Sequence, residues 1–140
     1  ASVEGMCARI LSMGIDVQQI TAIMPTHAHL DHAGAAGHWM QLLPAATLCC
    51  HPAAARHLIN PEKLEASARA VYGSAFDELY GELIPVPAAR VRTLEHNEVY
   101  TLGHRELRSV HLRGTQTYHT ARSRSLHQCN RQYTRYTLGY

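Results

Sequence analysis

The chain has 140 residues, with 46% hydrophobic and 17% charged side chains and a formal net charge of +2, a globular balance that excludes a disordered or fibrous protein. No apolar run approaches the ~18 residues that would cross a bilayer, the first residues have neither the basic start nor the apolar core of a signal peptide, and four Cys, two of them adjacent at Cys49-Cys50, do not make a disulfide framework. The expectation is a cytoplasmic protein with no membrane partner, and a partial chain, since it starts without Met.

In chain order, Val3, Cys7, Ile10 and Leu11 recur at helical spacing, and Gly14 suits the C-terminal cap of that helix. Ile20 to Met24, ahead of Pro25, reads as a buried strand. Ala36, Trp39, Met40 and Leu43 predict a helix stopped by Pro44, and Ala46 to Cys50 a second buried strand. Ala53 to Leu58 predicts a short helix. Leu64, Ala68 and Val71 predict another between Pro61 and Gly73, and Phe76, Leu79, Tyr80 and Leu83 a third. Beyond Pro87 the pattern changes to strands. Val91–Leu94 and Val99–Leu102 flank the polar Glu95-His96-Asn97-Glu98 and read as a hairpin, with Leu107–Leu112 as a further strand. The order predicts an α/β protein with mixed sheet content.

Charge and composition shift near residue 112. Residues 1–103 carry six cations against ten carboxylates, a net of −4; residues 104–140 carry seven Arg against Glu106 alone, a net of +6. Residues 113–140 contain no Val, Ile, Met, Phe, Trp, Asp or Glu. Such a segment buries too little apolar area to offset its ordering entropy. The chain is therefore read as a domain over 1–112 and a basic, irregular tail over 113–140.

Chemistry concentrates in Thr26-His27-Ala28-His29-Leu30-Asp31-His32. In extended backbone, His27 and His29 project to the same side and can grip one metal ion. Asp31 and His32 stand where the chain turns towards the next helix and can reach a second ion. Imidazole with carboxylate suits zinc, with iron and manganese as alternatives. Ala33-Gly34-Ala35-Ala36-Gly37 follows with almost no side-chain bulk, letting backbone approach the site. Elsewhere, adjacent Cys49 and Cys50 on a strand point to opposite faces and are read as buried. His51 and His57 are read as polar caps.

The run His27-x-His29-x-Asp31-His32 resembles the H-x-H-x-D-H signature of the metallo-β-lactamase-fold hydrolases, and Met13-Gly14-Ile15-Asp16-Val17 is similar to their lead-in. The stretch from His51 to Pro87 looks like the helical insert of a bacterial branch of that family. The resemblance implies an αβ/βα sandwich with the metals at the sheet edge. It implies His27 and His29 on a first zinc, and Asp31 and His32 on a second. Asp31 is then also the catalytic residue that orients the metal-bound water. The implied activity is hydrolysis, by a metal-bound hydroxide, of a small-molecule ester, thioester or lactone. The sequence departs from the family after the motif. Where a Thr-Pro-Gly-His turn supplies a third His, the chain reads Leu112-Arg113-Gly114-Thr115, and no Gly-Asp turn follows.

Two other readings arise. Arg113, Arg122, Arg124, Arg131 and Arg135 interleave with Tyr118, Tyr133, Tyr136 and Tyr140, a recipe for single-stranded nucleic acid, which would suit a nuclease or phosphodiesterase of the same fold. The third reading is a catalytically inactive metal-binding fragment.

Overall fold

A computed structural model describes residues 3–112 and 119–123. The first helix, α1, spans Val3–Ser12 and lays Val3, Met6, Cys7 and Ile10 on the core. Leu11, assigned to that face by spacing, instead points outward at 58% exposure. The helix ends where Gly14 adopts φ +73° and Ile15 N–H reaches back to the Ile10 carbonyl, a left-handed stop that glycine takes without steric cost.

Strand β1 is only Ala22–Ile23. Helices α2 (Leu30–Ala33) and α3 (Ala36–Leu42) carry the chain to β2, Thr47–Cys50. Helices α4 (Pro52–Ile59), α5 (Glu62–Tyr72) and α6 (Phe76–Leu79) lead to β3, Val91–Thr93. The three strands form a parallel sheet in the order β1-β2-β3. Parallel neighbours need such helical crossovers, and their carboxyl ends open on one edge.

Leu48, Met40, Leu43 and Val86, each at most 1% exposed, sit at the centre of the core, with Trp39, Cys50 and Leu58 around them. Each large side chain so buried contributes roughly 1.5–3 kcal/mol of transfer free energy. Helix α3 approaches the backbone at Ile84 so closely that a Cβ on Gly37 would stand 1.9 Å from the Ile84 carbonyl oxygen, so only glycine fits. Arg90 closes this region: its guanidinium donates to the carbonyls of Met40, Leu43 and Ala46, satisfying acceptors that the end of α3 leaves open.

The insert has a small core of its own. Ala68, Phe76 and Leu83 cluster there, with Leu30 of α2 and Tyr80 packed against them. Val71 and Leu79, expected on the apolar faces, are 78% and 58% exposed. Helix α6 stops at Leu79, so Tyr80 and Leu83 lie in the loop after it.

The second sheet is antiparallel, β4-β5-β6, with β4 at Val99–Leu102, β5 at Arg105–Leu112 and β6 at His119–Ser123. The expected hairpin between Val91–Leu94 and Val99–Leu102 does not form. Val91–Thr93 pairs instead with Leu48–Cys50, parallel, and Val99–Leu102 pairs with Arg105–Arg108 across the two-residue turn Gly103-His104. The polar Glu95–Glu98 segment passes the chain from one sheet to the other. The irregular tail expected from residue 113 meets a strand at His119–Ser123, whose register runs from Leu112↔His119 to Arg108↔Ser123. Backbone pairing along a partner strand forms this ladder without a stripe of large apolar residues. The remaining tail positions, with the Thr115 of the missing turn and most of the Arg and Tyr residues, lie outside the described residues.

Candidate metal centre

The motif occupies the loop from the end of β1 to α2. Pro25 is buried and His27 is 8% exposed. His29 takes the position before α2 with extended φ and ψ, and its carbonyl accepts from His32 and Ala33 N–H. That turn swings Asp31 and His32 back beside His27. One potential ligand atom from each of His27, Asp31 and His32 lies within 4.8 Å of the other two. Donors at about 2.1 Å from a shared tetrahedral ion stand about 3.4 Å apart. The remaining gap is small for side-chain rotation at Asp31 and His32, both exposed.

Thr26 organises the group. Its Oγ1 is 3.1 Å from His27 Nδ1 and 3.3 Å from His32 Nδ1. A hydroxyl has one proton to give, so it donates to one ring at most and accepts from the other. Both imidazoles are thereby tied through Nδ1. His32 Nε2 stands 3.2 Å from Asp31 Oδ2. A hydroxyl on the far nitrogen of a ligating histidine is the kind of partner that orients imidazole towards a metal.

The expected division of labour placed His27 with His29, and Asp31 with His32. The geometry joins His27 to the latter pair, with ring centroids of His27 and His32 4.2 Å apart. His29 is exposed and meets His27 edge-on at 4.9 Å, outside the group of three. Two imidazoles and a carboxylate fit zinc, iron or manganese as a donor set.

A second histidine cluster stands on the same edge. His51 follows β2, His96 follows β3, and His111 lies on β5. The rings of His51 and His111 are 4.1 Å apart, and those of His96 and His111 5.7 Å. His51 is the expected polar cap: its Nδ1 accepts from Ala53 N–H at 3.0 Å. His96 Nδ1 accepts from His111 N–H at 3.0 Å, and His111 Nε2 donates to the Leu94 carbonyl at 2.8 Å. Burial, and then the neighbouring His111, lower the pKa of His51, with Glu95 opposing them. Spread over sixty residues, this cluster has no local motif; the one signal available was that two members directly follow strands. His57, read as a cap, instead lies in the last turn of α4 and accepts from Arg56 Nε. Cys49 and Cys50 are buried as expected, and the Cys50 thiol is pushed up to about 12, first by burial and then by Cys49. A thiol so protonated is a poor ligand.

Known proteins resemble the chain in this arrangement. Residues 4–121 match the metallo-beta-lactamase superfamily. The solved structure of MEM-A1, a subclass B3 metallo-beta-lactamase from a soil metagenome library, is 24% identical, with a TM-score of 0.62 over 85% of this chain and 41% of that one. ST1585 from Sulfolobus tokodaii, an archaeal metallo-beta-lactamase superfamily protein, is 27% identical, with a TM-score of 0.59 over 71% of this chain and 40% of its own. The metallo-beta-lactamase SMB-1, solved with mercaptoacetic acid, is 23% identical, with a TM-score of 0.61 over 84% of this chain and 41% of that one. The chain thus spans about two fifths of the length of these structures. No curated protein matches it.

Proposed function

The chain belongs to the metallo-beta-lactamase superfamily, and from that premise we propose that it is part of a metal-dependent hydrolase acting on a small neutral ester, thioester or lactone. The observation that carries this reading is the convergence of His27, Asp31 and His32 at the carboxyl edge of the parallel sheet. A zinc ion held there supplies Lewis acidity, polarising a carbonyl and lowering the pKa of water towards ~7.

The chain's own residues have separable parts. His27, His32 and Asp31 hold the metal, and His29, at the mouth of the loop, completes the donor set when its ring turns inward. Thr26 fixes the two Nδ1 atoms so that Nε2 faces the ion. Asp31 also orients the attacking water, since its carboxylate is an acceptor open to solvent. We place the protein in the cytoplasm; among the described residues no helix is long and apolar enough to cross a membrane. The nucleic-acid reading leans on Arg and Tyr residues most of which lie outside the described ones, and no observation at the site favours it.

The test replaces Asp31. In Asp31→Asn, hydrolysis of a generic thioester or lactone by the zinc-loaded chain should fall at least about 100-fold, within the range that a positioned general base contributes, with an unchanged circular dichroism spectrum. Turnover equal to the parent's would remove the hydrolase assignment.

A further inference from the structure

We propose that Tyr72 and Tyr80 form the subsite that receives the acyl arm of the substrate, and that they select a neutral arm bearing a hydrogen-bond acceptor; the proposal rests on the hydrolase reading above. The argument begins at α2. Leu30 directly precedes Asp31, and it packs into the insert against Ala68, Phe76, Leu83 and Tyr80. The insert is therefore seated beside the carboxylate of the metal cluster, not at the far end of the molecule.

Its aromatic residues form a braced platform. Phe76, fully buried, anchors it. Tyr80 meets Phe76 at 5.7 Å and Tyr72 edge-on at 5.2 Å, 66° between planes. Arg69 donates to Glu65 and Asp77 at 2.8 and 2.7 Å and lies 4.2 Å over the Phe76 ring, which ties α5 to α6. Packing accounts for Phe76. It does not account for Tyr72, 43% exposed at the end of α5.

The hydroxyls complete the picture. Tyr80 holds its proton more tightly than an ordinary phenol, first through its hydrogen bond with Tyr72, then through burial and the negative charge of Tyr72 and Asp31. A bond that favours the protonated form is one in which Tyr80 donates to Tyr72, leaving the Tyr72 O–H to donate outward. The ligand that fits is a carbonyl or ether oxygen next to an apolar chain lying along the rings. Charge decides against an anion: between Pro61 and Leu83 five carboxylates stand against two cations, and one of those, Arg69, is already engaged by two of them.

The experiment uses the zinc-loaded chain, Tyr72→Phe and Tyr80→Phe. Nuclear magnetic resonance titration with γ-decanolactone, and separately with its ring-opened carboxylate, reads binding without turnover. The parent should bind the lactone at least about fivefold more tightly than the carboxylate. Each Phe variant should weaken lactone binding about fivefold, the loss of one hydrogen bond, with zinc content and circular dichroism unchanged. Undiminished lactone binding in Tyr72→Phe, or equal binding of lactone and carboxylate by the parent, overturns the proposal. Tyr72 is exposed, so its variant decides the matter if Tyr80→Phe perturbs the fold. A parent that takes up no zinc but shows the tyrosine-dependent binding keeps the subsite and removes the hydrolase reading.

Discussion

Two histidine clusters share one sheet edge and differ in what their nitrogens touch. In the cluster of His27 and His32, the ring bonds run to side chains, the Thr26 hydroxyl and the Asp31 carboxylate. In the cluster of His51, His96 and His111, they run to backbone: the Ala53 and His111 amides and the Leu94 carbonyl. A histidine whose nitrogen serves a backbone group cannot leave it without orphaning that group, which costs about 1–3 kcal/mol. A histidine tied to a hydroxyl and a carboxylate can exchange partners when an ion arrives. The first cluster is built for chemistry and the second for joining β2, β3 and β5. Ring identity and proximity alone would not have separated them.

The largest effect should come from exchanging the two roles. His27→Ala should weaken zinc binding by more than about 100-fold, beyond the usual loss from a mere supporting partner, while His111→Ala should leave zinc per chain unchanged and lower unfolding free energy by about 1–3 kcal/mol. Elemental analysis beside denaturant titration separates these outcomes, and zinc loss in His111→Ala would break the distinction. A smaller effect sharpens it: Thr26→Val removes the hydroxyl shared by both Nδ1 atoms and should cost about 10-fold in zinc affinity, read by competition with a chelator.

Acid should act on the second cluster. The folded state holds the pKa of His51 below its ordinary 6.5, so the unfolded chain binds more protons over the interval between the two values. Stability from this residue is fully present above about pH 6.5 and is lost as pH falls towards the folded value. His51→Asn keeps an N-cap acceptor for Ala53 N–H and removes the titration. Its Tm should therefore fall less steeply between pH 7 and 5 than the parent's, by at most about one proton's worth, with His57, also lowered by burial, accounting for part of the slope that remains. The smallest effect belongs to Ser109. Its amide and carbonyl are bonded to Glu98 and Asn97, but its hydroxyl is buried with no partner among the described residues. Ser109→Ala should raise stability by up to about 1 kcal/mol, measured by chemical denaturation.

The sequence carried the metal loop because His27, His29, Asp31 and His32 lie within six residues and local geometry governs them. Most helix positions were legible for the same reason. Pairing partners were not. Val91–Thr93 looked like half of a hairpin because alternation and a polar turn describe a strand without saying what lies beside it, and its partner was some forty residues upstream. Leu11, Val71 and Leu79 fitted helical spacing yet face solvent, since spacing defines a stripe but not whether anything covers it. The His51 cluster was invisible because its members meet only after both sheets form.

Arg90 carries one more consequence. Its guanidinium grips the Met40, Leu43 and Ala46 carbonyls across 44 to 50 residues of chain, and those contacts bracket the whole of α4 to α6. The register of β3 is thus set by a clasp at the mouth of a long excursion, independent of what the excursion contains. Closing a longer excursion is cheap in entropy, about 0.6 kcal/mol for each doubling of length. Lengthening, shortening or exchanging the outer helices at constant Arg90 should therefore leave the strand ends in place, making the insert an interchangeable cassette through which such a scaffold can acquire new substrates while its metal loop stays as it is.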